Sequence, residues 1–77
     1  MKHSVPQDIK NSELIIIIDE YVRNERDREI LKDRWIKGYT FERLAEKHRI
    51  SVTQIKNIIY GIGDKVLLKV SEIFDKQ

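Results

Sequence analysis

In its second half the chain reads "ISVTQIKNIIYG", where Thr53, Lys56, Asn57 and Tyr60 follow one another at helical intervals of three and one. That spacing gathers a hydroxyl, an ammonium, a carboxamide and a phenol on one side of a helix. Ammonium and hydroxyl groups can meet phosphate oxygens, while a carboxamide offers donor and acceptor together to a base edge in a major groove. A solvated face without a ligand is the alternative.

Other chemistries find less support. His3 and His48 stand alone, with no metal-ligand spacing around them. "YGIGDK" lacks the phosphate-binding Walker pattern and lies in a helical phase. Asp19 and Glu20 point to different parts of a helix surface, and no serine has a general base within evident reach. Without cysteine, disulfide scaffolds and thiolate metal sites are excluded. We therefore expect no enzyme, no cofactor, no metal and no small-molecule substrate.

The elements around this face read as helices, since no run alternates at the period of a half-buried strand. Thr40 caps a short helix with Phe41, Leu44, Ala45 and His48 on its apolar face. Shortly after it, Ser51 and Gln54 form a capping box that starts the next helix. Helices joined by so brief a turn must cross steeply, as in a helix-turn-helix. Ala45 is small at the crossing, Ile50 plugs the turn, and Ile55 and Ile58 anchor the second helix.

Upstream, "NERDREILKDRWIKG" carries Asn24 as a cap, Glu25 and Asp27 in the first turn, and Gly38 after its end. Ile30, Leu31 and Trp35 form its apolar stripe, and Arg34 shares an arc with Asp27, which suggests an ion pair. Before it, "SELIIIIDEYV" predicts a helix capped by Ser12 with Glu13 at its positive end. At about 100° per residue, Leu14, Ile15, Ile17, Ile18, Tyr21 and Val22 fall within roughly 160°. Ile16 falls opposite, among Asp19, Glu20 and Arg23. Downstream, Val52, Ile55, Ile59, Ile62, Val66, Val70 and Phe74 keep one phase across Gly61 and Gly63. One long helix from Val52 to about Phe74, bent or loosened at the glycines, is preferred over a break.

The 77 residues, 40% hydrophobic and 36% charged, suit one helix-rich domain. The expected organisation is a flexible segment 1–11, a first helix 12–23, a helix-turn-helix core 24–60 and a continuing last helix 61–77. The fold class is all-α, a small four-helix domain with a long C-terminal recognition and extension helix. The apolar run Leu14–Ile18 is far shorter than the roughly 20 residues of a membrane span, and no signal peptide is evident, so a soluble cytoplasmic, nucleoid-associated protein is expected. The net charge of +2 is unevenly spread. Residues 11–33 hold seven acids and four bases, whereas 47–63 hold Lys47, Arg49 and Lys56 without an acid, so an anionic partner is drawn to the latter.

The stretch "RDREILKDRWIKGYTFERLAEKHRISVTQIKNII", residues 26–59, resembles region four of bacterial sigma factors, and most of all the short sigma-like proteins of Gram-positive prophages. The "RDREIL" opening, the "GYTFERLAEKH" helix and the "ISVTQIK" start carry the likeness. It implies base and phosphate contacts at Val52, Thr53, Lys56 and Asn57, with Thr40 and Ser51 near phosphates at helix amino ends. Gln54 and Tyr60 complete the candidate DNA-binding set. Three positions depart from the pattern. Arg49 stands where glycine is frequent, so it either adopts a left-handed conformation or reshapes the turn; His48 replaces an apolar residue; Val52 replaces an arginine. The remaining sigma-factor regions do not fit in 77 residues, so complete sigma activity is not expected.

Two functions fit these residues. The leading one is sequence-specific binding of double-stranded DNA by a phage or prophage transcriptional regulator, whose modest charge favours a homodimer with Ile16 and Leu68 as interface residues. The other is an adaptor that keeps the fold without reading DNA and docks RNA polymerase, through the acidic first half, or a phage packaging or assembly complex.

Overall fold

The computed structural model describes residues 9–75. Its helices are α1 (Asn11–Tyr21), α2 (Glu25–Trp35), α3 (Phe41–His48), α4 (Val52–Ile58) and α5 (Asp64–Asp75), with a π-helical segment, Ile59–Gly63, joining the last two. No strand occurs among the described residues, so the all-α reading holds. Most of the segment expected to be flexible lies outside the described residues; Ile9, within them, packs against the core.

The local signals in the sequence set most helix ends. Asn24 Oδ1 accepts from the backbone N–H groups of Arg26 at 2.9 Å and Asp27 at 3.3 Å. Thr40 Oγ1 accepts from Arg43 N–H at 3.1 Å. Each bond satisfies a donor that the helix itself leaves free, and such a cap contributes about 1 kcal/mol. The first helix differs: it starts at Asn11 with Lys10 in the cap position and no side-chain cap, so Ser12 lies inside the first turn. Starting there lets Leu14 N–H donate to Lys10 O at 3.0 Å.

The core collects Leu14, Ile17, Ile18 and Val22 from the first helix and its end, Ile30 and Leu31 from α2, Leu44 from α3, Ile55 and Ile59, and Val66 and Val70 from α5. Ile15 is only half-buried and Tyr21 is exposed, its ring centroid 6.0 Å from Lys69 Nζ, so the buried arc of α1 is narrower than its sequence suggests. Ile16 is 63% exposed, as its phase predicts. Trp35 packs against the core from a half-buried position. Arg34 does not pair with Asp27; its Nη1 donates to Tyr39 O at 2.9 Å, while the nearest base to Asp27 is Arg26, at 3.4 Å. The reason is reach: Asp27 lies about two turns back along the helix, whereas the turn after α2 folds Tyr39 beside the guanidinium.

The chain continues in αR geometry from α4 to α5, loosened at the glycines. A Cβ on Gly63 would stand 3.2 Å from Leu31 Cδ2 and 3.2 Å from Trp35 Cζ2, so this glycine lets the last helix approach α2 closely. The π segment accommodates an extra residue, which rotates α5 about its axis relative to α4. Gly63 and Leu67 are buried in consequence, while Ile62 is only half-buried. The Phe74 side chain lies outside the described residues.

Candidate nucleic-acid interface

The turn between α3 and α4 is built from the residue that departs from the expected pattern. Arg49 adopts φ 58° and ψ 41°, the left-handed conformation that usually falls to glycine. Ile50 N–H then donates back to Ala45 O at 3.1 Å, closing the end of α3 as Ile50 packs against the core. One residue later the capping box forms: Gln54 N–H donates to Ser51 Oγ at 3.1 Å, and Ser51 N–H donates to Gln54 Oε1 at 3.1 Å. Two helices of eight and seven residues are thereby fixed with a tight turn between them.

Ile55 faces inward and is fully buried, with Ile59 one turn further on. Helical periodicity therefore carries Thr53, Lys56, Asn57 and Tyr60 to the opposite side, and all four are exposed, as are Thr40, Ser51 and Gln54. Val52 is half-buried. Thr40 and Ser51 stand at the helix amino ends, where unpaired N–H groups and the dipole favour an anion. Both of their oxygens, and Gln54 Oε1, already serve the caps.

An aromatic cluster, not anticipated from the sequence, supports this face. The Phe41 ring lies 6.1 Å from that of Tyr60, edge to face at 77°, with Arg34 Cζ 4.4 Å from its centroid and Lys56 Nζ 5.8 Å away. Lys56 is thus held near the outer end of α3 while its ammonium stays exposed. Beside it, Tyr39 is approached by Arg43 at 4.3 Å, Lys47 at 5.4 Å and Lys37 at 5.9 Å. The interleaving of bases with aromatics in "RWIKGYTFER" is the signal that could have revealed these groups.

The basic stretch 47–63 is less available than its composition implies. Lys47 Nζ lies 2.7 Å from Asp33 Oδ2 and 3.2 Å from Glu29 Oε1, tying α3 to α2. Lys37 Nζ stands 3.6 Å from Asp33 Oδ1, and His48 Nε2 is 3.6 Å from Asp33 Oδ2. Burial pushes the Asp33 carboxyl up, but the Lys47 hydrogen bond and the charges of Lys47 and Lys37 hold it below its ordinary value. The hydrogen bonds to Asp33 and Glu29 raise Lys47. Arg49 and Lys56 form no ion pair with a described residue and remain exposed. The acidic half is reduced as well: Asp27 and Asp33 are buried, and Asp19 pairs with Lys32 at 2.8 Å. His48, isolated in the sequence, lies with Glu29 and Asp33 in the fold.

No curated protein and no solved structure matches the chain. Residues 24–60, which run from the Asn24 cap to Tyr60 at the end of the exposed face, match the family model described as Sigma-70, region 4. Residues 24–60 are thus a sigma-factor region 4-like, DNA-binding helix-turn-helix.

Proposed function

We propose that this protein binds double-stranded DNA sequence-specifically by placing α4 in the major groove, and that it acts as a transcriptional regulator of phage or prophage origin. The observation that carries the reading is the exposed set Thr53, Lys56, Asn57 and Tyr60 on a helix whose other side is anchored by Ile55. Phosphates are met by Lys56 and by the amino ends capped by Thr40 and Ser51; Thr53 and Asn57 reach base edges; Gln54 contributes its remaining amide N–H groups, and half-buried Val52 offers apolar contact. The prophage assignment rests on the resemblance of residues 26–59 alone.

The modest net charge of +2 limits what one copy can bind, because sequence-independent affinity comes from neutralising phosphates. A homodimer would double the contacts, and exposed Ile16 and Leu68 are its candidate interface. No catalytic step belongs to this reading. No described helix is long and apolar enough to cross a membrane.

The test is a titration with random duplex DNA at two salt concentrations, then selection from a random duplex pool. We expect binding at low salt that falls as salt rises, and enrichment of an approximately palindromic site. Undetectable binding at low salt would move the function to the adaptor reading, in which RNA polymerase or a phage assembly complex is the partner.

A further inference from the structure

Glu29 and Asp33 on α2 and His48 at the end of α3 bring two carboxylates and an imidazole together, with one ligand atom from each lying within 4.8 Å of the others. The His48 side chain is only 8% exposed, and its Nε2 is buried without a hydrogen-bond partner. An orphaned buried ring nitrogen is costly, because burial removes the water that would otherwise satisfy it. It is aimed at Asp33 Oδ2, 3.6 Å away. A cation already occupies this space, since Lys47 Nζ bridges Asp33 Oδ2 and Glu29 Oε1. An ammonium can serve the carboxylates but offers an imidazole lone pair no coordinate bond.

We propose that Glu29, Asp33 and His48 form a zinc site in which the ion takes the place of the Lys47 ammonium. Zinc accepts this mixture of nitrogen and oxygen donors at about 2.0–2.2 Å, with water completing a tetrahedron. Two ligand atoms on a tetrahedral zinc stand about 3.4 Å apart by those bond lengths, so the Asp33–His48 pair is already near its final separation. Glu29, 56% exposed, closes the rest by a change of rotamer, and Lys47, 35% exposed, swings into solvent. Lys37 remains on the other Asp33 oxygen. The ion would fasten α2 to the last turn of α3, immediately before the left-handed Arg49. Magnesium and calcium, which favour oxygen-only shells, are not expected to bind.

The test uses the full chain in a His3→Gln background, which removes the other imidazole, with zinc or magnesium chloride added to chelator-treated protein. Zinc should raise the melting temperature and magnesium should not, and cobalt should give the visible absorption of a tetrahedral centre. Glu29→Gln, a change of nearly equal size at an exposed position, should weaken zinc at least about tenfold. Lys47→Met should melt lower without metal and gain more from zinc than the parent, because the competing ammonium is gone while Asp33 still needs a cation. Absence of a zinc-dependent rise in both the parent and Lys47→Met overturns the site. So does a rise that Glu29→Gln leaves unchanged, which would mark adventitious surface binding only.

Discussion

Asn57 and Lys56 are neighbours on the exposed side of α4 and should behave differently. An ammonium meeting phosphate contributes equally to every sequence, so Lys56→Ala should weaken all duplexes alike and shallow the salt dependence by about one unit of slope. A carboxamide meeting a base discriminates, so Asn57→Ala should relax preference at one base pair, at about 1–3 kcal/mol. Identical selected sequences before and after the change would remove Asn57 from the reading set. At Asp33 the consequence is pH dependence. Its carboxyl is held below the ordinary value of 3.8, so the stability it adds is fully present above that value and is lost as pH falls through the lower folded value. Melting curves from pH 6 downward should steepen below about pH 4, and Asp33→Asn should flatten that limb. The Thr40, Asn24 and Ser51 caps were legible in the sequence because each bond joins residues at most three apart. The Asp33–Lys47 pair was not, because its partners lie fourteen residues apart and only the crossing of α2 and α3 brings them together.

Between elements, the two junctions of the second half respond to glycine in opposite ways. Arg49 occupies a left-handed conformation that disfavours a side chain by about 1–2 kcal/mol, so Arg49→Gly should stabilise the protein by about 1 kcal/mol in urea unfolding. A loss of stability would mean that the guanidinium makes compensating contacts. In the π segment, a Cβ on Gly61 meets nothing within 4 Å, so Gly61→Ala should stabilise by about 1 kcal/mol through helix propensity. Gly63→Ala gains the same propensity but presses on Leu31, fully buried, and on Trp35, and crowding of that kind costs about 1–3 kcal/mol. It should be neutral to destabilising, and equal stabilisation by both changes would refute the close approach to α2. The continuity of this helix was legible because its apolar residues hold phase across the glycines. The π turn was not, since inserting one residue shifts burial only from Ile62 toward Gly63 and Leu67, too little for a periodic pattern to distinguish.

For the molecule as a whole, the isoleucine run of α1 is mostly core. Leu14, Ile17 and Ile18 are buried, while Ile16 stands outside with Leu68 and Ile73 among the exposed large apolar side chains. Because Ile16 contributes little to the interior, Ile16→Lys should change unfolding stability by less than about 0.5 kcal/mol. If the protein pairs through this face, the same change should convert a dimer to a monomer in light scattering. A wild-type chain that stays monomeric at high concentration would exclude the homodimer. The phase of Ile16 was legible from periodicity; the exposure of Tyr21 was not, because it depends on where α5 ends up relative to α1.

The rod from Val52 to Asp75 has a further mechanical meaning. At 1.5 Å per residue its 24 residues would span about 36 Å. The described residues extend 39 Å along their longest axis. No loop interrupts this axis between the exposed side chains of α4 and the distal residues Leu68 and Ile73. A load applied at the far end would be carried along continuous helix, with the wider π turn placed to absorb twist before it reaches Asn57.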